Sequence, residues 1–284
     1  MPEGDTIFRA ARTLHRALAG AAITRFESAF PALNRIDQDR PLTGRIIESV
    51  SARGKHLLMV FSGDLILRSH MRMNGSWHIY RPGERWQRPA RDMRILVATS
   101  DFVAVGFNVP IAELLTGRDL SRHQQLKALG PDLLASAFDA GDVLRRMRAH
   151  PGDAIADALL NQRIVAGAGN VIKSETLFIA AVDPFQPVGA LSDADLMRVV
   201  SVARTQLQAN VLDRAHTLSP AFGRRTTRSL DPQAKLWVYG RGGKPCRKCG
   251  TAIQSRKTGL DARLTYWCPR CQVSRPADAE PRSG

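Results

Sequence analysis

The stretch 246–271 reads CRKCGTAIQSRKTGLDARLTYWCPRC, and it holds every cysteine of the 284-residue chain. Two Cys-x2-Cys pairs, Cys246/Cys249 and Cys268/Cys271, lie a hairpin's length apart. Four thiolates at this spacing can converge on one ion, and Zn2+ favours such a soft tetrahedral set in a closed, structural site. An iron–sulfur cluster is the rival occupant. A segment of about forty residues cannot bury a core unaided, so metal binding supplies its folding free energy. Gly250 and Pro269 suit the tight turns of the two knuckles. Arg256 and Arg263 flank a turn between them, and Tyr266-Trp267 lead into the second knuckle. A basic hairpin on an aromatic base is shaped for a nucleic-acid groove.

The charge around this stretch points the same way. The chain carries 41 Lys and Arg against 26 Asp and Glu, net +15. Residues 201–284 hold 16 of the basic and 5 of the acidic residues, so most of the excess, +11, lies in the last third. A chain this basic is suited to a polyanion, most often nucleic acid. Arginine outnumbers lysine, and its guanidinium forks onto phosphate as lysine cannot. Hydrophobic residues at 44% and charged residues at 24% form a globular balance, which excludes a disordered tail protein and a fibrous repeat.

Working back from the hairpin, residues 213–234 are polar, basic and turn-rich, with Arg224, Arg225 and Arg228, and read as a loop. Residues 118–212 are rich in Leu and Ala at three-to-four spacing, punctuated by Gly130-Pro131 and Gly167–Gly169, and read as helical. Between 22 and 111 the runs 46–50, 56–61, 65–69, 76–80 and 95–109 are β-branched and aromatic, separated by Gly, Pro, Asn and Asp. Ahead of them, Ile7, Ala11, Leu14 and Leu18 give a helix over 5–19, stopped by Gly20. The expected fold is α+β: an N-terminal helix with an antiparallel β-sandwich over 1–117, a helical domain with a trailing basic loop over 118–234, a metal hairpin over 235–275 and a frayed tail over 276–284.

No apolar run reaches the eighteen or so residues of a membrane span. The start, MPEGDTIF, is acidic where a signal peptide is basic. The expectation is a cytoplasmic, nucleoid-associated protein with no membrane partner, its cysteines kept as thiolates.

Pro2 follows the initiator Met, a position from which the Met is removable. The secondary amine so exposed can attack an electrophilic sugar carbon and form an iminium, and Glu3 beside it can move protons.

MPEGDTIFRAARTL at 1–14, ARGKHLL at 52–58, LLNQRIVAGAGNVIKSE at 159–175 and CRKCG…TYWCPRCQ at 246–272 occur in order. Together they resemble the formamidopyrimidine-DNA glycosylase and endonuclease VIII family, nearer the endonuclease VIII branch, from Pro2 to about Gln272. The resemblance implies a helix–two-turn–helix domain in the second part, DNA lying in a cleft between the halves, and one structural zinc. It implies a bifunctional enzyme that excises an oxidised, pyrimidine-type base and then cuts the abasic strand by β,δ-elimination. Carried over, Pro2 is the nucleophile that forms a Schiff base, and Glu3 is its acid/base partner. Lys55 contacts phosphate and assists proton transfer, and Arg263 grips phosphates around the lesion. Asn170, closing the Gly-rich turn and opening a helix, offers an amide to phosphate, as helix N-termini do. His70 contacts phosphate. The segment Arg72-Met73-Asn74 is where the family fills the hole left by the flipped base, with Met73 as the apolar wedge. Arg256 is a further DNA contact. The expected partner is damaged double-stranded DNA, with single strands a second substrate form, taken by a monomer.

Two departures stand out. Asp5-Thr6 occupy the place where better-known members carry a second glutamate at Thr6, and the void-filling triplet is not the Gln-Leu-Tyr of endonuclease VIII. A second reading is a zinc-dependent damaged-DNA-binding protein that kept the scaffold and lost the chemistry.

Overall fold

The computed structural model describes residues 2–211, 224–227, 229, 231, 233–259 and 262–274. Met1, Arg228, the greater part of the 213–234 loop and the 276–284 tail lie outside the described residues. The chain divides into two compact units, one ending at Ala128 and the other beginning at Leu129.

The first unit opens with α1 (Gly4–Leu18), whose Ile7, Ala11, Leu14 and Leu18 are buried along one stripe, the pattern of a helix laid on a core. It continues with β1 (Arg25–Ser28), α2 (Pro31–Asp39), β2 (Ile47–Arg53), β3 (His56–Phe61), β4 (Leu65–His70), β5 (Ser76–Tyr80), β6 (Met93–Ala98), β7 (Val103–Phe107) and β8 (Ile111–Leu115). Two short helices close it, α3 (Gly117–Arg122) and α4 (Gln124–Lys127). All pairings are antiparallel. One sheet has the order β1-β6-β7-β5 and the other β2-β3-β4-β8. Leu57, Met59, Leu67, Ile95 and Val97 join the α1 stripe in one apolar cluster. The sheet with β7 buries a second, smaller cluster built on Tyr80, Leu96, Val105 and Phe107.

Two details differ from the periodicity reading. The apolar run 95–109 is two strands, since the chain turns at Ser100–Asp101 and Phe102 N–H returns to Thr99 Oγ1 at 3.2 Å. The helix α2, opened by Pro31, interrupts the strands and buries only Leu33; one buried side chain leaves too weak a stripe for periodicity to reveal.

The second unit contains α5 (Ala140–Arg148), α6 (Ile155–Leu160), α7 (Asn170–Ile179) and α8 (Asp193–Val211), with the hairpin β9 (Gln254–Thr258) and β10 (Arg263–Trp267). The helices enclose a core of Val143, Met147, Leu159, Ile172, Leu177, Val200 and Leu207 among others. A separate cluster, Phe178, Val238, Cys246, Ile253 and Cys268, joins α7 to the hairpin.

Candidate active site and zinc hairpin

The amino terminus is placed by α1. Gly20 N–H donates to the Ile47 carbonyl (2.8 Å), and Val50 N–H donates to His15 Nδ1 (3.1 Å). The helix therefore runs antiparallel to β2. From His15 back to Glu3 it rises about 18 Å at 1.5 Å per residue. From Val50 to Arg53, where β2 ends, an extended chain advances about 10 Å at 3.3 Å per residue, and the two-residue turn lies just beyond. Pro2-Glu3 and the β2–β3 turn thus lie toward the same end of the unit. Glu3 and Asp5 are fully buried and Pro2 half-buried. The turn is a two-residue hairpin loop between paired Arg53 and His56. Its first position is Gly54 at φ +58°, a conformation glycine adopts without steric cost, and that sets Lys55 at the second. At the second-glutamate position, Thr6 turns its N–H and its hydroxyl onto Asp5 Oδ1, 2.7 and 3.3 Å away. Where the resemblance implies a second glutamate, this chain holds a hydroxyl–carboxylate pair.

Histidine 70 ends β4 opposite His56, and the two rings meet edge-on at 4.8 Å. Arg72 N–H donates to His70 Nδ1 (3.1 Å). Burial, followed by the charges of Arg68, Arg72 and Lys55, lowers His70 to about 4. At neutral pH the ring is uncharged with Nδ1 accepting, so its proton sits on Nε2 as a donor. Beneath it lies Arg68, 1% exposed, donating to Glu113, to Gln125 Oε1 (2.7 Å) and to His56 Nδ1 (3.0 Å). Burial and then Arg68 lower His56 to about 3. Neither Arg68 nor His56 was singled out by sequence; the signal was an arginine in the middle of the apolar strand LILRSH.

The loop after His70 separates its two methionines. Met71 is 2% exposed and belongs to the core, whereas Met73 is 53% exposed. Arg72 adopts φ +46° and Gly75 N–H closes the turn on the Met71 carbonyl at 2.9 Å. A Cβ at Gly75 would lie 2.5 Å from that carbonyl oxygen, so only glycine fits. Arg72, Met73 and Asn74, with Asn108 and Pro110, line a hollow of about 410 Å³.

In the second unit Asn170 starts α7, and its Oδ1 is buried with no hydrogen-bond partner among the described residues. The three polar residues that follow are all buried and all face the hairpin segment. Lys173 Nζ donates to Thr265 Oγ1 (2.8 Å) and the Leu264 carbonyl (3.2 Å). Ser174 Oγ accepts from Tyr266 N–H (3.3 Å). The Glu175 carboxylate accepts from the backbone N–H groups of Trp237, Val238 and Tyr239 at 2.8–2.9 Å and from the Thr226 hydroxyl. These three were not foreseen, although a Lys-Ser-Glu run inside an apolar helix signals buried charge in need of partners.

Arg256 lies in mid-strand opposite Thr265 and spreads its guanidinium 3.6 Å over the Phe185 ring. Arg263 opens β10, paired with Thr258. Arg225 folds back on the Ser229 and Asp231 carbonyls.

The four cysteine sulfurs lie within 4.8 Å of one another, with separations of 3.5, 3.5 and 3.9 Å among them. A zinc tetrahedron with bonds of about 2.3 Å has sulfur–sulfur edges of about 3.8 Å, so the set fits. Hydrogen bonds from Thr251 hold the Cys249 thiol down to about 6, whereas burial pushes Cys268 and Cys271 up. Only a cation lets all four ionise together.

Three family models match the chain in order. They are the formamidopyrimidine-DNA glycosylase N-terminal domain over residues 1–109, the formamidopyrimidine-DNA glycosylase H2TH domain over 129–220, and the zinc finger found in FPG and IleRS over 243–273. The chain is 43% identical to a probable endonuclease 8 2 of Streptomyces coelicolor, across 100% of this chain and 97% of that one. It is 38% identical to the DNA-(apurinic or apyrimidinic site) lyase Nei2 of Mycolicibacterium smegmatis, across 96% and 100%. Among solved structures, Lactococcus lactis Fpg (MutM) in complex with oxidised-pyrimidine-containing DNA matches with a TM-score of 0.81 and 25% identity, across 96% and 100%. The chain therefore belongs to the formamidopyrimidine-DNA glycosylase/endonuclease VIII family of base-excision-repair DNA glycosylase/AP lyases. Its four cysteines hold one structural zinc ion.

Proposed function

We propose that this glycosylase/AP lyase removes oxidised pyrimidines from double-stranded DNA through a covalent intermediate on Pro2. The observation that carries the reading is the antiparallel run of α1 along β2, which puts the proline and buried Glu3 toward the same end of the unit as Lys55. The Pro2 amine, freed by removal of Met1, attacks C1′ and the base leaves with the bonding pair. Glu3 gives its proton to the ring oxygen as the sugar opens to the iminium. The Glu3 carboxylate so formed takes the C2′ proton as the 3′ phosphate leaves, a second elimination expels the 5′ phosphate, and water releases Pro2. Lys55 and the neutral His70 hold phosphate, one by charge and the other through an Nε2 donor. Met73, exposed on a fixed turn, fills the vacated stack, and Arg72 and Asn74 address the opposite base. Asn170, Arg256 and Arg263 contribute from the second unit. The protein acts as a monomer on the nucleoid in the cytoplasm, and single-stranded lesions are a second substrate form. The relatives called endonuclease 8 and the oxidised-pyrimidine complex of the Lactococcus protein support the substrate class.

Borohydride should trap a protein–DNA adduct on abasic duplex, and a blocked amino terminus or Pro2→Gly should abolish it. Trapping by a tagged, unprocessed terminus at the native rate would overturn the mechanism. Defined lesion duplexes read the base preference directly: thymine glycol should be cut faster than 8-oxoguanine.

A further inference from the structure

The connection from β5 to β6 is not a tight turn. Both strands pair with β7, Ser76 and Met93 each lying opposite Phe107, so residues 81–92 must return the whole length of the sheet. This strap is pinned to the sheet's smaller cluster: Trp86 meets Phe107 edge-on at 5.6 Å, and Gln87 N–H donates to the Tyr80 hydroxyl at 3.1 Å. Arg88 lies close enough to His78 to hold its ring below the usual range, after burial. At its far end the Asp92 carbonyl accepts from Asn108 N–H at 2.8 Å, and Asn108 lines the same hollow as Arg72, Met73 and Asn74. The strap thus leads away from the void-filling loop.

Its sequence, RPGERWQRPARD, carries Arg81, Arg85, Arg88 and Arg91 against Glu84 and Asp92. Arg81 is spent on the Phe102 ring, 4.4 Å from its centroid, and its N–H takes Glu84. Arg85, Arg88 and Arg91 are exposed and make no hydrogen bond or ion pair among the described residues. Elsewhere Arg45, Arg68, Arg146, Arg148 and Arg198 are all tied to carbonyls or carboxylates. Arg85 and Arg88 border a hollow of about 620 Å³ with Trp86 on its wall. Three guanidinium groups within seven residues, exposed on one strap, present a cluster of bidentate donors suited to phosphate.

We infer that the strap 81–92 is a second DNA contact, taking the phosphate backbone of the duplex that flanks the lesion on the side of the void-filling loop. This rests on the reading of Arg72–Asn74 given above. The five residues of β5 span about 17 Å, which matches a rise of about five base pairs, at about 3.4 Å each, along the duplex axis.

The test is the salt dependence of binding by the triple variant Arg85→Gln, Arg88→Gln, Arg91→Gln. Duplexes carry a non-cleavable abasic analogue at the centre or with either flank cut to a few base pairs. On the full duplex the slope of log K against log salt should fall by about 2 to 3, since each phosphate contact contributes about 0.9. Cutting one flank, and not the other, should remove the difference between variant and wild type. An unchanged slope on the full duplex overturns the inference. An equal fall on all three duplexes, the mark of a general loss of charge, overturns it as well, and so does an effect confined to single-stranded flanks. Strand cleavage by the wild-type protein, followed in parallel, reports on the proposed chemistry independently.

Discussion

In the first unit the polar groups of the candidate site stand on turns and strand ends above an apolar sandwich: Lys55 on a two-residue hairpin, His70 at the end of β4, Met73 on a loop closed by Gly75. In the second unit they are driven inward. Lys173, Ser174 and Glu175 sit inside α7 and are satisfied almost entirely by groups some fifty to ninety residues later in the chain. The first arrangement leaves side chains free to change partners during a reaction. The second fixes one segment against another, because an unpartnered buried charge is far more costly than an exposed one. The polar groups of the first unit's site therefore need no distant partner to be satisfied, whereas α7 and the zinc-hairpin segment satisfy each other.

Removing zinc strikes this difference hardest. Chelation, or Cys249→Ser, should release the hairpin and the α7 contacts, raising amide exchange across 237–274 and abolishing DNA binding, while the sandwich melts as before. Cooperative loss of both units would show that they do not stabilise separately. Next comes Glu175→Ala with zinc retained. It strips acceptors from three backbone N–H groups and Thr226, and should cost roughly 3–5 kcal/mol in denaturant. A cost below about 1 kcal/mol would mean that water replaces the carboxylate.

Acid sharpens the other side. His56 and His70 titrate at about 3 and about 4, below the unfolded value of about 6.5. On acidification the unfolded chain protonates first. Their contribution is complete above pH 6.5 and drains away as the pH falls toward 3. In the variant His56→Gln, denaturant midpoints of the first unit should fall less steeply between pH 6.5 and 4; identical slopes would exclude His56 as the titrating group. The smallest effect belongs to Met73→Ala, which removes an exposed wedge and no core. Excision from duplex should slow about tenfold, or ~1.4 kcal/mol, with little change on single strands. Equal slowing on both would return Met73 to a packing role.

Much of this was legible beforehand, for identifiable reasons. The Cys-x2-Cys pairs, the α1 stripe and the PEG start are local patterns whose meaning does not depend on distant residues. The resemblance singles out Met73 as the wedge, but periodicity alone does not separate it from Met71, because alternation fails where Arg72 takes a left-handed conformation. The Lys-Ser-Glu run is visible in the sequence but its role is not, since its partners lie beyond the reach of any helical or strand period. Arg256 reads as a DNA contact in the sequence, and only tertiary packing lays it on Phe185. The strap 81–92 is a basic loop on paper and becomes a track only through the order β6-β7-β5.

The pairing of Lys173 with Thr265 spans 92 positions, and it bears on how the chain is made. At about 5–20 residues per second, ribosomes deliver the hairpin roughly 5 to 20 s after α7 has left the exit tunnel. Through that interval the Lys173 ammonium waits for its permanent partner to emerge, and the Glu175 carboxylate waits for the earlier part of it. The sandwich, complete by Ala128, can fold on the nascent chain. The second unit has to wait for its last knuckle, so a truncated translation product should contain a finished amino-terminal half and an α7 still open to water.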